Sequence, residues 1–199
     1  MDADFWNQRY AGEEYAYGTA PNDFVAEVAA RIPAGPVLCL AEGEGRNAVH
    51  LAERGHAVTA VDQSEVALTK ARKLAAARGA TVETVTADLS GYRILPEAWA
   101  GIVATWAHLP PAVRREVHAQ VVRGLQHGGL FILEAYTPAQ LAHQTGGPRS
   151  VELLMTAAQL REELMGLEFE VLREVERDVR EGTAHTGRAA VVQVLARRP

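Results

Sequence analysis

Two glycines and an acid carry the clearest chemistry in the chain. Gly43 and Gly45 stand in Gly43-Glu44-Gly45-Arg46-Asn47-Ala48, directly after the short apolar run Val37–Ala41. Glycine there lets a backbone turn sharply and approach a ligand closely. Asp62 follows Gly43 by nineteen residues and closes the next apolar run, Ala57–Val61. A carboxylate at the end of such a strand is placed to accept both hydroxyls of a ribose, which predicts a nucleoside-containing cofactor. The hexapeptide also satisfies G-x-G-x-x-[GA] literally. An NAD-dependent dehydrogenase is therefore the enzymatic alternative. A non-catalytic regulatory protein that binds a nucleoside cofactor is the non-enzymatic one.

The elements that must hold these residues alternate along the chain. Asn22 or Asp23 caps a helix to about Ile32, and Pro33-Ala34-Gly35-Pro36 breaks it before the first strand. Arg46–Arg54 carries Ala48, Leu51 and Ala52 at helical spacing, with Gly55 as its stop. Ser64 caps a helix to Arg78 whose apolar face is Val66, Leu68, Ala71, Leu74 and Ala75. Thr81–Ala87 is a β-branched strand, Gly101–Trp106 a fourth strand, Ala112–Gln126 a helix ended by Gly128-Gly129, and Leu130–Tyr136 a fifth strand. A helix near Ala157–Leu164 precedes two strand patterns, Leu167–Val179 and Arg188–Arg197, joined by the polar loop Arg180–Gly187. So short a loop makes an antiparallel hairpin and leaves no room for a crossover helix. The expected architecture is an α/β, doubly wound, mostly parallel seven-stranded sheet with a C-terminal antiparallel hairpin. A dehydrogenase would need a second nucleotide-binding half and a substrate domain.

Composition narrows the class further. A chain of 199 residues, 48% hydrophobic, can bury one full core, and residues 1–199 read as a single domain. A net charge of −5 offers no general attraction to nucleic acid. Cys39 is the only cysteine, so no disulfide or thiolate metal site is expected. The seven histidines are scattered without an i,i+4 ligand pair, and no metal is expected either. No apolar run reaches membrane-spanning length and the start has no signal-peptide pattern, which makes the cytoplasm the expected location.

The stretches VETVTADLSGY, GIVATWAHLPP and GLQHGGLFILEAYTP follow the glycine loop in an order that resembles the class I S-adenosylmethionine-dependent methyltransferases. The similarity is to the small TehB-like branch, named for tellurite resistance, and spans nearly the whole chain. It implies a Rossmann-like methyltransferase fold and S-adenosyl-L-methionine as cofactor. The acceptor implied is a small molecule, with no nucleic acid or membrane partner, and the protein a monomer or homodimer. In this family the glycine loop wraps the amino-acid half of the cofactor, which draws Ala41, Glu42, Arg46 and Asn47 into the site with Gly43 and Gly45. Gln63 joins Asp62, and Asp88-Leu89 matches the position that bonds the adenine amino group. The family carries an acid where Cys39 stands and glycine where Ala41 stands. Glu42 is the nearest carboxylate to replace that acid in holding the cofactor's ammonium group.

The resemblance also implies a lid. Phe5, Trp6, Tyr10, Tyr15 and Tyr17 crowd the first 17 residues of a chain only 6% aromatic. Phe5 and Trp6 read as packing on the sheet edge, in a segment of little regular periodicity. Arg9, Tyr10 and Tyr17 read as reaching the sulfonium end of the cofactor from residues 1–21, where an aromatic face stabilises an onium charge. Trp106 and His108 end the fourth strand, where cofactor and acceptor meet in this family. TWAHLPP stands where base-modifying amine methyltransferases carry Asn-Pro-Pro-aromatic, which argues against a nucleic-acid base as acceptor. Tyr136 ends the fifth strand on the acceptor side. Ala184-His185-Thr186-Gly187-Arg188 matches a hairpin whose histidine and arginines bind an anionic acceptor, with His185 and Arg188 retained. Displacement at a sulfonium methyl needs positioning more than a strong base. For a proton-bearing acceptor, His108 and His185 are the candidate bases, being the side chains that titrate near neutrality. An oxyanion or thiolate acceptor needs no base.

Overall fold

A computed structural model describes residues 2–143, 145–182 and 185–199, so Ala184 of the hairpin lies outside the described residues. In chain order the elements are α1 (Ala3–Tyr10), α2 (Asp23–Val28), β1 (Pro36–Leu40), α3 (Arg46–Glu53), β2 (Ala57–Asp62), α4 (Glu65–Ala77) and β3 (Val82–Thr86). Then come β4 (Trp99–Thr105), α5 (Pro111–Gly124), β5 (Leu125–Tyr136), α6 (Ala157–Glu163), β6 (Glu168–Glu181) and β7 (His185–Arg197). The helix starts follow side-chain capping. Asn22 accepts from the Val25 N–H, Ser64 from Ala67, and Thr156 with Gln159 closes a reciprocal box on α6.

The strands form one sheet in the order β3-β2-β1-β4-β5-β7-β6. β1 to β5 pair in parallel, and β7 runs antiparallel between β5 and β6. This is the expected doubly wound sheet with its terminal hairpin. Successive side chains of a strand point to opposite faces, and β1 divides its residues accordingly. Leu38 and Leu40 join Val117, Val121 and Leu160 in the core under α5 and α6. Val37 and Cys39 join Phe24, Leu51 and Leu68 in the core under α2, α3 and α4. Strand order reverses between β1 and β4, and in open α/β sheets ligands bind outside the carboxyl ends of the strands at such a point.

Three details depart from the sequence expectations. The amino-terminal segment contains a helix, α1, capped by Asp2 and packed on α4 rather than on the sheet edge. Phe5 is accordingly 47% exposed, and it touches the sheet nowhere in the core clusters. Gly128 and Gly129 lie within β5 instead of ending α5, which stops at Gly124. A Cβ on Gly129 would stand 2.9 Å from the Trp99 carbonyl oxygen, so the glycine lets β5 pass close to β4 beside a register shift. The hairpin strands also extend further, to Glu181 and from His185, over residues whose polar character reads as loop.

Candidate functional site

The loop after β1 is held against the end of β2. Asp62 Oδ2 accepts the Gly43 N–H at 2.8 Å, and Oδ1 accepts the Ser64 N–H at 2.8 Å. Asp62 is buried, which pushes its carboxyl above the ordinary range, while N–H bonds from Ser64, Gly43 and Gln63 oppose the shift. Each carboxylate oxygen has a second lone pair for a ligand hydroxyl. Two close approaches explain the glycines. A Cβ on Gly43 would meet the Tyr10 hydroxyl at 2.9 Å, and one on Gly45 would meet the Ala71 Cβ at 2.6 Å. Ala41 sits at φ +49°, a conformation natural to the glycine of the resembling family and strained for alanine.

Glu42 is buried, and its Oε1 accepts the N–H groups of Asn47 at 2.9 Å and Ala48 at 2.8 Å. Gly45, the residue capping α3, has no side chain, so Glu42 supplies the cap from three residues earlier. Burial raises its pKa from 4.5 to about 7, against those two N–H bonds and the Arg46 charge. Burial, and after it the nearby Glu42 charge, pushes the Cys39 thiol well above its usual range. An acid at position 39 would place two carboxyls together, so the cysteine and the displaced glutamate are one arrangement. Asn47 is committed as well. Its Nδ2 donates to Thr105 Oγ1 at 2.9 Å, and its Oδ1 accepts the Asn22 N–H at 2.9 Å.

The amino-terminal segment is anchored by α4. Lys70 Nζ pairs with Glu44 at 2.5 Å and donates to the carbonyls of Gly12 at 2.9 Å and Glu14 at 2.6 Å. Asn7 accepts from Ser64 Oγ at 2.7 Å. These bonds bring a row of rings across the glycine loop: Trp6 stacks on Tyr10 at 5.7 Å, and Tyr17 meets Tyr10 at 6.0 Å and His185 at 4.6 Å. The Arg9 guanidinium lies 5.9 Å from the Tyr17 ring centre. Burial is the first cause raising the Tyr10 pKa, followed by the Asp62 charge.

The row continues to the ends of β4 and β5. Trp106, at φ +58°, lies 4.5 Å from Tyr136 and 5.0 Å from His185, and Tyr136 lies 5.5 Å from His185. His108 stacks on Tyr136 at 5.6 Å. The two histidines thus flank one tyrosine at one end of the sheet. Their roles in the lattice of bonds differ. His108 Nδ1 bonds the Leu153 carbonyl at 2.9 Å and Nε2 faces the Tyr136 N–H at 3.4 Å, while burial lowers its pKa to about 4. His185 is buried with no hydrogen bond at Nδ1, and burial lowers its pKa while Glu181 opposes the shift.

Glu181 is the hub that sequence reading missed. Its Oε2 accepts from Arg46 Nη2 at 2.6 Å and from Trp106 Nε1 at 2.7 Å, and Oε1 accepts from Asn22 Nδ2 at 2.8 Å. Asn22 also bonds the fully buried Glu134 at 2.7 Å, and Arg177 joins both glutamates. Burial pushes the Glu181 carboxyl up, but the His185 imidazole, Arg46 and Asn22 hold it down at about 2. Glu44 and Lys70, paired at 2.5 Å, were missed too.

Two expected residues stand apart from this cluster. Arg188, three positions after His185 and so on the opposite strand face, pairs with Glu176 at 3.2 Å with its side chain 51% exposed. Asp88 is exposed and accepts the Ser90 N–H at 2.7 Å with Oδ1. Next to it, Leu89, Leu40, Ala104 and Leu109 line a small apolar cavity. Among the described residues no group of three potential metal ligands occurs.

A glycine loop tied to an acid at the end of β2, below a sheet of this order, matches what is found by comparison. Residues 37–129 match the family described as a methyltransferase domain. The chain is similar in this region and in fold to the class I S-adenosylmethionine-dependent methyltransferases, a family whose cofactor is S-adenosyl-L-methionine. It is 32% identical over 120 residues to a 2-heptyl-1-hydroxyquinolin-4(1H)-one methyltransferase from Mycobacteroides abscessus, covering 59% of this chain and 53% of that protein. The chain therefore spans about half the length of the curated relative it matches. TehB from Haemophilus influenzae shares the fold with a TM-score of 0.72 at 19% identity, over 99% of this chain and 67% of TehB. A structure solved for the conversion of a disulfide bond into a thioacetal group during echinomycin biosynthesis superposes with a TM-score of 0.76 at 23% identity, over 98% of this chain and 92% of that one. Among the described residues no helix is long and apolar enough to cross a membrane.

Proposed function

We propose that the protein transfers the methyl group of S-adenosylmethionine to an oxyanion or thiol of a small molecule. The observation that supports this best is the convergence, at the carboxyl ends of β1, β2, β4 and β5, of the Asp62-braced glycine loop with the packed rings of Tyr17, Trp106, Tyr136 and His185. The residues present fit the cofactor: Asp62 keeps unused lone pairs, and Arg46 Nη1 is a buried donor without a hydrogen-bond partner among the described residues.

When bound, the cofactor supplies an electrophilic methyl on a sulfonium, which already carries its leaving group. Asp62 accepts the ribose hydroxyls, the free oxygen of Asp88 takes the adenine amino group, and Leu89 covers the adenine face. The loop from Ala41 to Asn47 wraps the amino-acid half, with Glu42 bracing the loop from beneath. Residues 1–21 form the lid, and the Tyr10 and Tyr17 rings exclude water and face the sulfonium charge. Trp106, Tyr136 and His108 wall the acceptor, and His185 holds or takes its proton. Arg188 draws anionic acceptors toward the mouth from outside it. The Mycobacteroides relative, by its name, points to an acidic N-hydroxyl as one acceptor to try beside tellurite-type oxyanions and small thiols. The same reading makes the protein a cytoplasmic monomer or homodimer that engages neither nucleic acid nor membrane, in keeping with its net charge of −5.

Calorimetry with S-adenosylmethionine, S-adenosylhomocysteine and NAD tests the cofactor. Binding of the first two, absence of NAD binding, and loss of roughly 1.5–3 kcal/mol in Asp62→Ala are expected. Tight NAD binding would refute the reading. Mass-spectrometric detection of methylated products over an acceptor panel of oxyanions, thiols and N-hydroxylated heterocycles then identifies the substrate.

A further inference from the structure

We propose that Glu181 is the positioning residue of the transfer site: its carboxylate orients the His185 imidazole with Nδ1 inward, leaving Nε2 to take the acceptor's proton. This rests on the function proposed above. His185 Nδ1 is buried and lies 3.9 Å from Glu181 Oε2, longer than a hydrogen bond, with no other partner. Such contacts are often long in the free enzyme and tighten in the complex. A buried ring nitrogen with only a carboxylate in front of it carries the proton, and the other nitrogen is then the acceptor. The same Oε2 receives the Trp106 indole N–H at 2.7 Å, so one oxygen fixes the two rings that meet at 5.0 Å. Glu181 is itself immobilised by Arg46, Asn22 and Arg177.

The charges around the imidazole are compatible with a neutral base. Glu181 on β6 faces it, as do Arg46 from α3 and Arg9 from α1, with Tyr17 from the lid, Tyr136 from β5 and His108 after β4 completing the titratable neighbours. Burial and the two arginines disfavour the imidazolium, and Glu181 favours it. For a proton-bearing acceptor the bond between its heteroatom and hydrogen breaks, and the proton goes to Nε2. The freed lone pair bonds the methyl carbon as the carbon–sulfur bond breaks with its electrons on sulfur. Glu181 stabilises the resulting imidazolium, which later releases its proton to water.

The test is nitrogen NMR on histidine-labelled full-length protein saturated with S-adenosylhomocysteine, with the His185 signals assigned by His185→Gln. The expected neutral form carries its proton on Nδ1 with Nε2 bare. In Glu181→Gln the imidazole pKa should fall below its wild-type value, since a facing negative charge is lost. A proton on Nε2 in the wild type, or an unmoved pKa in the variant, overturns the proposal. Should Glu181→Gln fail to fold, the wild-type tautomer alone decides. Failure of S-adenosylhomocysteine to bind would instead count against the cofactor reading, which keeps the two outcomes apart.

Discussion

Glu42 should make the protein less stable as pH rises from mildly acidic to neutral. Its carboxyl titrates at 4.5 in an ordinary environment and at about 7 in the fold, with burial as the dominant cause. A raised carboxyl pKa means that the native state holds the proton more tightly than the unfolded chain. The associated stability is fully present below pH 4.5 and is lost as pH rises through about 7. At 1.36 kcal/mol per unit the total comes to about 3 kcal/mol, or ~6–12 °C in Tm for a chain of this size. Glu42→Gln mimics the protonated form, and its amide oxygen can accept the same N–H groups of Asn47 and Ala48. The variant should match the wild type near pH 4.5 and exceed it by about 3 kcal/mol at pH 8, with the extra pH dependence gone. Urea unfolding of both proteins from pH 4 to 8.5 is the assay. Parallel curves for the two proteins would refute the reasoning, because a solvated Glu42 would contribute no such slope.

Gly45→Ala should cost about 2–4 kcal/mol by thermal unfolding, since φ is +89° and the new Cβ falls 2.6 Å from Ala71 Cβ. Gly55→Ala, at φ +91° in open space, should cost only about 1–2 kcal/mol, and equal losses would remove the packing argument. Hydrogen exchange across residues 5–18 should slow on adding S-adenosylhomocysteine, and Lys70→Met should speed it in the free protein by removing the Glu44 pair and the carbonyl contacts. Exchange indifferent to both would make the segment fixed packing. Substituting His185 by Ala should lower turnover on a proton-bearing acceptor and abolish the acid limb of its pH profile, with S-adenosylhomocysteine affinity retained. His108→Ala should lower turnover without moving that limb, because both its nitrogens face backbone groups and its pKa is about 4.

The sheet and the conformation of the glycine loop were legible because their causes are local. A continuous apolar run is what a strand buried on both faces requires, and Val37–Leu40 divides its residues between two cores. Glycine before a helix and an acid after a strand are likewise short-range patterns, and Asp62 meets Gly43 across a single helix-and-strand unit, α3 and β2. α1 was less legible. Only Trp6 and Tyr10 stand at i,i+4, the helix is short and lies outside the sheet, and its rings suggested core where Phe5 is solvent-exposed.

The acceptor end was only half legible, and the missing half is electrostatic. Sequence pattern brings Trp106, Tyr136 and His185 to one end of the sheet, since each ends or begins a strand there. It says nothing of Glu181, whose neighbours Arg180 and Gly182 mark a polar turn and whose burial depends on donors far away in the chain. Asn22 is 159 residues distant and Arg46 is 135. A carboxylate that is solvated when read locally becomes a buried anion only once these donors arrive. Removing one of them would leave a buried charge short of partners, which costs more than the pair contributes when intact. The network is thus better suited to specifying one geometry than to adding stability. Its location beneath His185 and Trp106 sets that geometry where the proposed function needs an acceptor's nucleophile to be aimed.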